Sequence, residues 1–339
     1  EPDHDVVLLD NVIAIAPGGY INHEDGDRDA AKPVPPRDPN KEKKDKELGK
    51  LSPPPNNPAF SLRDKDPSWV DPPPPPSPPM MLPLRFLRAG KGDVAEGKRR
   101  YKATLDWRRE NQIDTILRES SPHFATIKKY YPHFCHGQGY NGEPCYYEQP
   151  PRTKLKAMQN EGVSIETVLR HYVMVTEYQW QYLIRDDLKR SIYIIDLEGM
   201  GFSDFVGDVV DFVKRASALS SQHYPERAGQ VFVINVPGWF KMVWNVVKPW
   251  VDEVTLKKIH ILRDKEEIRR CMEERIPAHN IPQEYGGQSP YPLGQSPEEV
   301  EFAQLVEHNN RIAAGDTSCG GAGPESNCRF CKWVPPRSY

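Results

Sequence analysis

The alternation of short β-branched runs with amphipathic helices between residues 80 and 285 is the feature that most constrains the fold. The periodicity predicts strands at 144–148, 191–197, 230–236 and 259–262. It predicts helices over 94–111, 165–179, 205–219 and 265–276, with Asp93, Ser164 and Asp264 as N-caps. Strands that alternate with helices of this length form βαβ units and a largely parallel sheet. The predicted fold class is therefore α/β.

The first 79 residues have a different character. They hold about half of the 35 prolines, including proline tracts at 53–55 and 72–79. Proline fixes φ and lacks the N–H, and the segment has too little apolar surface to offset the entropy of ordering. We therefore predict a disordered arm over 1–79 that ends in a stiff spacer. Its PPPPPSPP tract also fits an SH3 or WW groove, so a docking segment is the second interpretation.

Charge and motif content exclude several classes of function. The 45 basic and 48 acidic side chains give a net charge of −3, which argues against a nucleic-acid partner. The sequence contains no P-loop, no H-E-x-x-H, no nucleophile elbow and no G-x-G-x-x-G after a strand. We therefore expect no enzymatic activity. Asp196, at the end of a predicted strand, is interpreted as a buried or turn-capping residue rather than as an acid or a metal ligand.

Beyond residue 290 the chain is polar and Gly-rich, and we predict a polar tail over 291–339 with a Cys-rich end. Cys328 and Cys331 form a C-x-x-C pair, with Cys319 upstream. A structural zinc site needs four ligands, so the fourth would be His308 or a partner's residue. The expectation is a flexible tail with reduced thiols and no metal.

An aromatic segment follows the third predicted strand. One helical stripe within 237–251 carries Trp239, Phe240, Val243, Trp244 and Val247. Such a stripe fits a core helix. It equally fits a movable amphipathic helix that meets a membrane or covers an apolar cavity, because Trp and Phe favour the bilayer interface.

Several motifs, in order along the chain, resemble the CRAL-TRIO family, in particular its yeast-type phosphatidylinositol/phosphatidylcholine transfer branch. The resemblance covers about residues 82–288. The motifs are LRFLRAGKGDV at 84–94, LDWRRENQID at 105–114, YPER at 224–227, VINVP at 233–237, KPWVDEVTLKKIHIL at 248–262 and IPAHNIPQEYGG at 276–287.

The resemblance implies a CRAL-TRIO fold. In this fold a mixed, mostly parallel sheet floors an apolar cavity that holds one phospholipid. A small helical subdomain, here 80–125, precedes the lipid-binding domain, here 126–290. The aromatic stripe lies where the family has its gate helix. The resemblance implies no catalytic group and no cofactor, with a bound phospholipid as cargo.

The resemblance also implies a headgroup pocket for phosphatidylinositol, made of Glu226, Arg227, Thr255 and Lys258. Lys258 and Arg227 have the charge to bind the phosphate, and Glu226 and Thr255 the oxygens to bind inositol hydroxyls. One departure is Gly90, which replaces an arginine that the family brings near the phosphate. One contact to the phosphate is therefore lost, or it is supplied by another residue, for instance Lys91.

A second lipid pocket is expected at Ser191, Tyr193, Tyr146 and Cys135. Tyr193 replaces a small hydroxylated residue of the family, and Cys135 replaces a cavity tyrosine. These changes favour a second cargo other than phosphatidylcholine.

The function implied by the resemblance is exchange of phosphatidylinositol and a second lipid between membranes, with presentation of phosphatidylinositol to lipid kinases. The expected location is the cytoplasm, with transient, peripheral association at Golgi- or endosome-type membranes. Two alternatives stay open. One is a carrier of a tocopherol-, retinoid- or sterol-like ligand, and the other is an interaction scaffold that uses the proline arm.

Overall fold

The computed structural model describes residues 82–184, 186–201, 208–240, 244, 257–318 and 328–332. The arm predicted at 1–79 lies outside this range. The strands are β1 (His133–Gln138), β2 (Pro144–Glu148), β3 (Ser191–Asp196), β4 (Ala228–Ile234) and β5 (Ile259–Ile261). The α-helices are α1 (Leu84–Ala89), α2 (Val94–Glu110), α3 (Phe124–Tyr130), α4 (Leu155–Asn160), α5 (Ile165–Glu177), α6 (Asp208–His223), α7 (Lys265–Glu273), α8 (Pro297–Ala313) and α9 (Arg329–Lys332).

The five strands form one sheet in the order β1-β2-β3-β4-β5. The β1–β2 pair is antiparallel, and the other three pairs are parallel. The predicted mixed, mostly parallel sheet is therefore confirmed. Strand β1 was missed because its sequence, HFCHGQ, contains no β-branched residue and shows no clear alternation.

The two faces of the sheet pack against different elements. Inward residues on one face join the larger apolar core with α5, α6 and α8. The opposite face packs against α7 and the turns that follow it, through Cys145, Tyr147, Ile192, Ile194, Phe232, Ile268, Met272, Ile276 and Ile281. Burial on both faces explains why these strands carry nearly continuous apolar runs.

The predicted N-caps are confirmed. The carboxylate of Asp93 accepts from the backbone N–H groups of residues 95 and 96, Ser164 Oγ accepts from Thr167, and the Asp264 carboxylate accepts from Glu267. Val94, in the first turn of α2, is 50% exposed.

Helix α8 differs from the polar tail predicted at 291–339. Its Phe302, Leu305 and Val306 are buried in the larger core. At its N-terminus, the Glu299 carboxylate accepts from Cys135 N at 2.9 Å, and Ser296 Oγ donates to Cys135 O at 2.7 Å. These bonds cover strand β1, the edge of the sheet. The acidic residues at the start of α8 obscured this role, because Glu298 and Glu299 accept from backbone N–H groups of β1 rather than face solvent.

Candidate functional site

Five side chains, one from each strand, form one row across the sheet. We call it the aromatic row because two tyrosine rings stack at its centre. The strand register pairs Cys135 with Tyr146, Tyr146 with Tyr193, Tyr193 with Val231 and Val231 with Ile259. All five belong to, or pack against, the larger apolar core. The structure thus brings together three of the four residues predicted for the second lipid pocket, on one face of the sheet.

Tyr146 and Tyr193 stack at the centre of this row. Their ring centroids lie 5.4 Å apart with an interplanar angle of 19°. Both rings are buried, and the Tyr193 hydroxyl has no hydrogen-bond partner among the described residues. A buried hydroxyl without a partner is costly, which makes this atom a candidate to bond a polar group of a bound molecule.

Ser191, the fourth predicted residue of this pocket, lies at the start of β3, away from the row. Its N–H donates to Arg227 O at 2.7 Å, and its hydroxyl donates to the same carbonyl at 3.3 Å. Its polar groups therefore fasten β3 to β4.

A polar group that sequence reasoning missed lies in the same core. Tyr131 donates to the Glu148 carboxylate, and His133 Nε2 lies 2.9 Å from His171 Nε2. Burial raises the pKa of Glu148 to about 7 and lowers that of His171 to about 3. Glu148 Oε2 has no partner among the described residues. The available signal was the presence of Glu148 in a strand that is otherwise apolar.

Two residues of the predicted headgroup set lie at one edge of the sheet. Glu226 precedes β4 and Lys258 precedes β5, and these neighbouring strands are parallel. Glu226 adopts a left-handed backbone with φ of 61°, and its carboxylate pairs with Arg190 at 3.0 Å. Lys258 is partly buried, and its carbonyl accepts from Val231 N. Thr255 lies outside the described residues.

Arg227 differs from the expectation of a phosphate ligand. Its side chain is 2% exposed, and its guanidinium lies 4.1 Å over the Trp180 ring. One of its terminal nitrogens donates to the carbonyls of Asp186, Asp187 and Lys189 at 3.0–3.3 Å. The cation therefore holds the loop before β3, a role that only tertiary contacts reveal.

The aromatic stripe is described in part. Phe240 is 3% exposed in the larger core, and Trp239 and Trp244 pack against it. Val243 and Val247 lie outside the described residues, so the predicted gate helix stays a prediction.

Asp196 is a buried, hydrogen-bonded residue, as the sequence analysis predicted. Its carboxylate accepts from Asn235 Nδ2 at 2.7 Å, from Glu198 N at 3.0 Å and from Tyr285 OH at 3.0 Å. Within the described part of the chain, no helix has the length and apolar character that a bilayer span requires.

Sequence comparisons identify relatives of this chain. It is 32% identical over 223 residues to the Sec14 cytosolic factor of Schizosaccharomyces pombe, which covers 62% of this chain and 75% of that protein. It is 32% identical to the SEC14 cytosolic factor of Eremothecium gossypii, over 61% of this chain and 68% of the relative. It is 30% identical to the phosphatidylinositol/phosphatidylcholine transfer protein SFH9 of Arabidopsis thaliana, over 60% of this chain and 36% of that protein.

Among solved structures, the crystal structure of Sfh5 aligns with a TM-score of 0.49 at 17% identity, covering 69% of this chain and 81% of that chain. A CRAL/TRIO domain is matched over residues 128–287, from the end of α3 to the turn after α7. This range contains the whole sheet and the aromatic row. The predicted fold is confirmed, and the chain belongs to the CRAL/TRIO family, with Sec14-type proteins among its relatives.

Proposed function

We propose that this protein binds phosphatidylinositol and a second lipid and exchanges them between membranes. The observation that carries the proposal is the position of Glu226 and Lys258 at the start of neighbouring strands, at one edge of the sheet whose face bears the aromatic row. The names of the relatives support it, since one of them is a phosphatidylinositol/phosphatidylcholine transfer protein. No catalytic group is part of the proposal.

The charges at this edge suit an inositol phosphate. The Lys258 ammonium supplies a charge-assisted donor to phosphate, and the Glu226 carboxylate accepts from inositol hydroxyls. Glu226 is already oriented by Arg190, at 3.0 Å. Because Arg227 is buried and committed to the loop at 186–189, we assign it to the support of this edge rather than to the phosphate.

Exchange, rather than release into water, follows from the energetics of lipid transfer. Two acyl chains contain on the order of 30 methylenes, each worth about 0.8 kcal/mol on burial, so release into water would cost roughly 25 kcal/mol. If an apolar site stabilises the acyl chains as well as the bilayer does, the free energy of exchange at a membrane surface is close to zero. The proposal therefore includes transient contact with membranes, and presentation of phosphatidylinositol to lipid kinases is one use of such exchange.

The test is transfer of labelled phosphatidylinositol between vesicles by the full chain. We expect Lys258→Ala and Glu226→Gln to reduce phosphatidylinositol transfer at least tenfold, which corresponds to a loss of about 1.4 kcal/mol, while the second cargo stays bound. Lys257→Ala, at the adjacent exposed lysine, is the matched control and retains transfer. Unchanged transfer by the Lys258 variant would remove the headgroup assignment.

A second candidate is a carrier of a non-phospholipid ligand with one polar group. The observation that favours it is the buried Tyr193 hydroxyl, which lacks a partner among the described residues. The ring that carries it stacks with Tyr146 in the aromatic row. Mass spectrometry of organic extracts, after incubation with mixed-lipid vesicles, separates the two. Stoichiometric phosphatidylinositol supports the first candidate, and a neutral isoprenoid or sterol alone supports the second.

A further inference from the structure

The last described segment of the chain, which contains α9, returns to helix α8. Arg329 pairs with the Glu301 carboxylate at 3.1 Å and also donates to Gln304 Oε1. Glu301, Gln304 and His308 are spaced i, i+3 and i+7, so they share one face of α8. The segment at 328–332 therefore lies along a defined face of a helix whose other side is anchored in the core.

Three metal-ligating side chains meet where this segment reaches His308. Cys331 Sγ lies 3.2 Å from His308 Nε2, and Cys328 Sγ lies 3.8 Å from Nδ1 and 3.9 Å from Nε2 of the same ring. One ligand atom from each of the three residues lies within 4.8 Å of the others. The C-x-x-C spacing places both sulfurs on one side of the first turn of α9.

These separations are close to the dimensions of a zinc site. With Zn–S near 2.3 Å and Zn–N near 2.0–2.1 Å, tetrahedral geometry separates neighbouring ligand atoms by about 3.3–3.8 Å. The ligand residues are also held in place. His308 is 5% exposed on a core helix, Cys331 is 6% exposed, and Phe330 packs against His308 with ring centroids 5.5 Å apart. Two thiolates and an imidazole select zinc among the common divalent ions.

The geometry points to a zinc site formed by His308, Cys328 and Cys331. A structural zinc site has four ligands, so these three side chains leave one coordination position to be filled by a further ligand. Zinc at this place clamps the segment at 328–332 to α8, and α8 in turn covers the edge strand β1 through Ser296 and Glu299. The ion thus has a structural role at the edge of the sheet, independent of any lipid cargo.

The test uses the untagged full chain, fully reduced, stripped with a chelator and then titrated with Zn²⁺ or Co²⁺ alone. We expect one equivalent of Zn²⁺ per chain, and with Co²⁺ an absorption spectrum that shows tetrahedral coordination with thiolate-to-metal charge transfer. Zinc should also protect Cys328 and Cys331 from alkylation, as followed by mass spectrometry. Absence of binding by either ion, or a tetrahedral spectrum without thiolate bands, overturns the assignment.

Variants locate the site. Cys328→Ser and Cys331→Ser should weaken Zn²⁺ binding about 100-fold or more, since loss of an outer partner of a metal ligand already costs about 10–100-fold. Cys271→Ser, on α7 and outside the cluster, is the matched control and keeps full binding. Because His308 is buried and its replacement can disturb folding, the alkylation pattern of the wild-type chain is the second readout. Unchanged binding in both cysteine variants would overturn the proposal.

Discussion

Gly90 lies backbone against backbone on Gly97, at the point where α1 gives way to α2. A Cβ atom on Gly90 would lie 2.8 Å from both Gly97 N and Asp93 O. A Cβ atom on Gly97 would likewise lie 3.0 Å from Phe86 O. The two glycines thus let the first two helices approach more closely than any side chain permits. Gly90, which stands where the resemblance leads us to expect an arginine, is therefore required for the packing of α1 on α2.

Restoring the family's arginine should therefore damage the fold. We expect Gly90→Arg, and also Gly90→Ala, to lower the free energy of unfolding by about 1–3 kcal/mol, because backbone atoms must shift to admit the Cβ. Urea unfolding measures the change. Ala95→Arg, at an exposed position of α2, is the control and should leave stability unchanged. A Gly90→Arg protein as stable as wild type, with faster phosphatidylinositol transfer, would contradict this explanation.

The Arg108–Glu177 ion pair joins α2 to α5. The pair is closed at 2.6 Å, with side-chain exposures of 8% and 2%, and Tyr224 also donates to Glu177. We expect Glu177→Ala to lower the free energy of unfolding by about 3 kcal/mol, because the buried Arg108 then keeps only the half-exposed Asp114 as a carboxylate partner and Tyr224 loses its acceptor.

Glu166→Ala is the matched control for this prediction. It lies on the same helix, and its ion pair with Arg215 is exposed to solvent. Chemical denaturation of both variants should show a large shift of the transition for Glu177→Ala and none for Glu166→Ala. Equal shifts would mean that the buried pair has no special weight.

Glu148 should make stability depend on pH. Burial raises its pKa to about 7 from the ordinary 4.5, so the folded state keeps a proton that the unfolded state releases. Its contribution to stability is present below pH 4.5 and is lost as the pH rises to about 7. Over that range the loss is about 3 kcal/mol.

Glu148→Gln, which cannot ionise, should avoid this loss. Relative to wild type, it should gain stability between about pH 5 and about pH 8 in urea titrations. Glu298 titrates in the same range, since burial also raises its pKa to about 7, but it is present in both proteins and cancels in the difference. A difference between variant and wild type that is constant with pH would show that Glu148 is already ionised in the folded state.

Replacement of Tyr193 tests whether its hydroxyl serves cargo binding or the stability of the fold. Because its buried hydroxyl has no partner among the described residues, Tyr193→Phe should leave stability unchanged or raise it. Tyr172→Phe removes a hydroxyl that does bond to Ser220, and it should cost about 1 kcal/mol.

The same variants report on the second cargo. If Tyr193 bonds a polar group of that lipid, Tyr193→Phe should retain phosphatidylinositol but lose the second lipid in extracts analysed by mass spectrometry. Unchanged cargo, together with a loss of stability, would assign the hydroxyl to the fold.

The sequence alone determined the elements whose signals are local. Alternation of strand and helix patterns identified β2 to β5, and the side chains of Asp93, Ser164 and Asp264 marked helix starts correctly because a cap bonds to backbone only two or three residues away. The resemblance selected Cys135, Tyr146 and Tyr193, and the strand register confirmed that they are neighbours.

Tertiary structure decided what depends on distant contacts. Strand β1 gains its order from β2 and from the acidic N-terminus of α8, more than 150 residues along the chain. Arg227 is buried because a loop some 40 residues upstream supplies its acceptors. His308 meets Cys328 and Cys331 because α8 packs in the core and the following segment returns to it. Sequence spacing can name such residues, as it named His308, Cys328 and Cys331, but not whether they meet, since that follows from how whole elements pack.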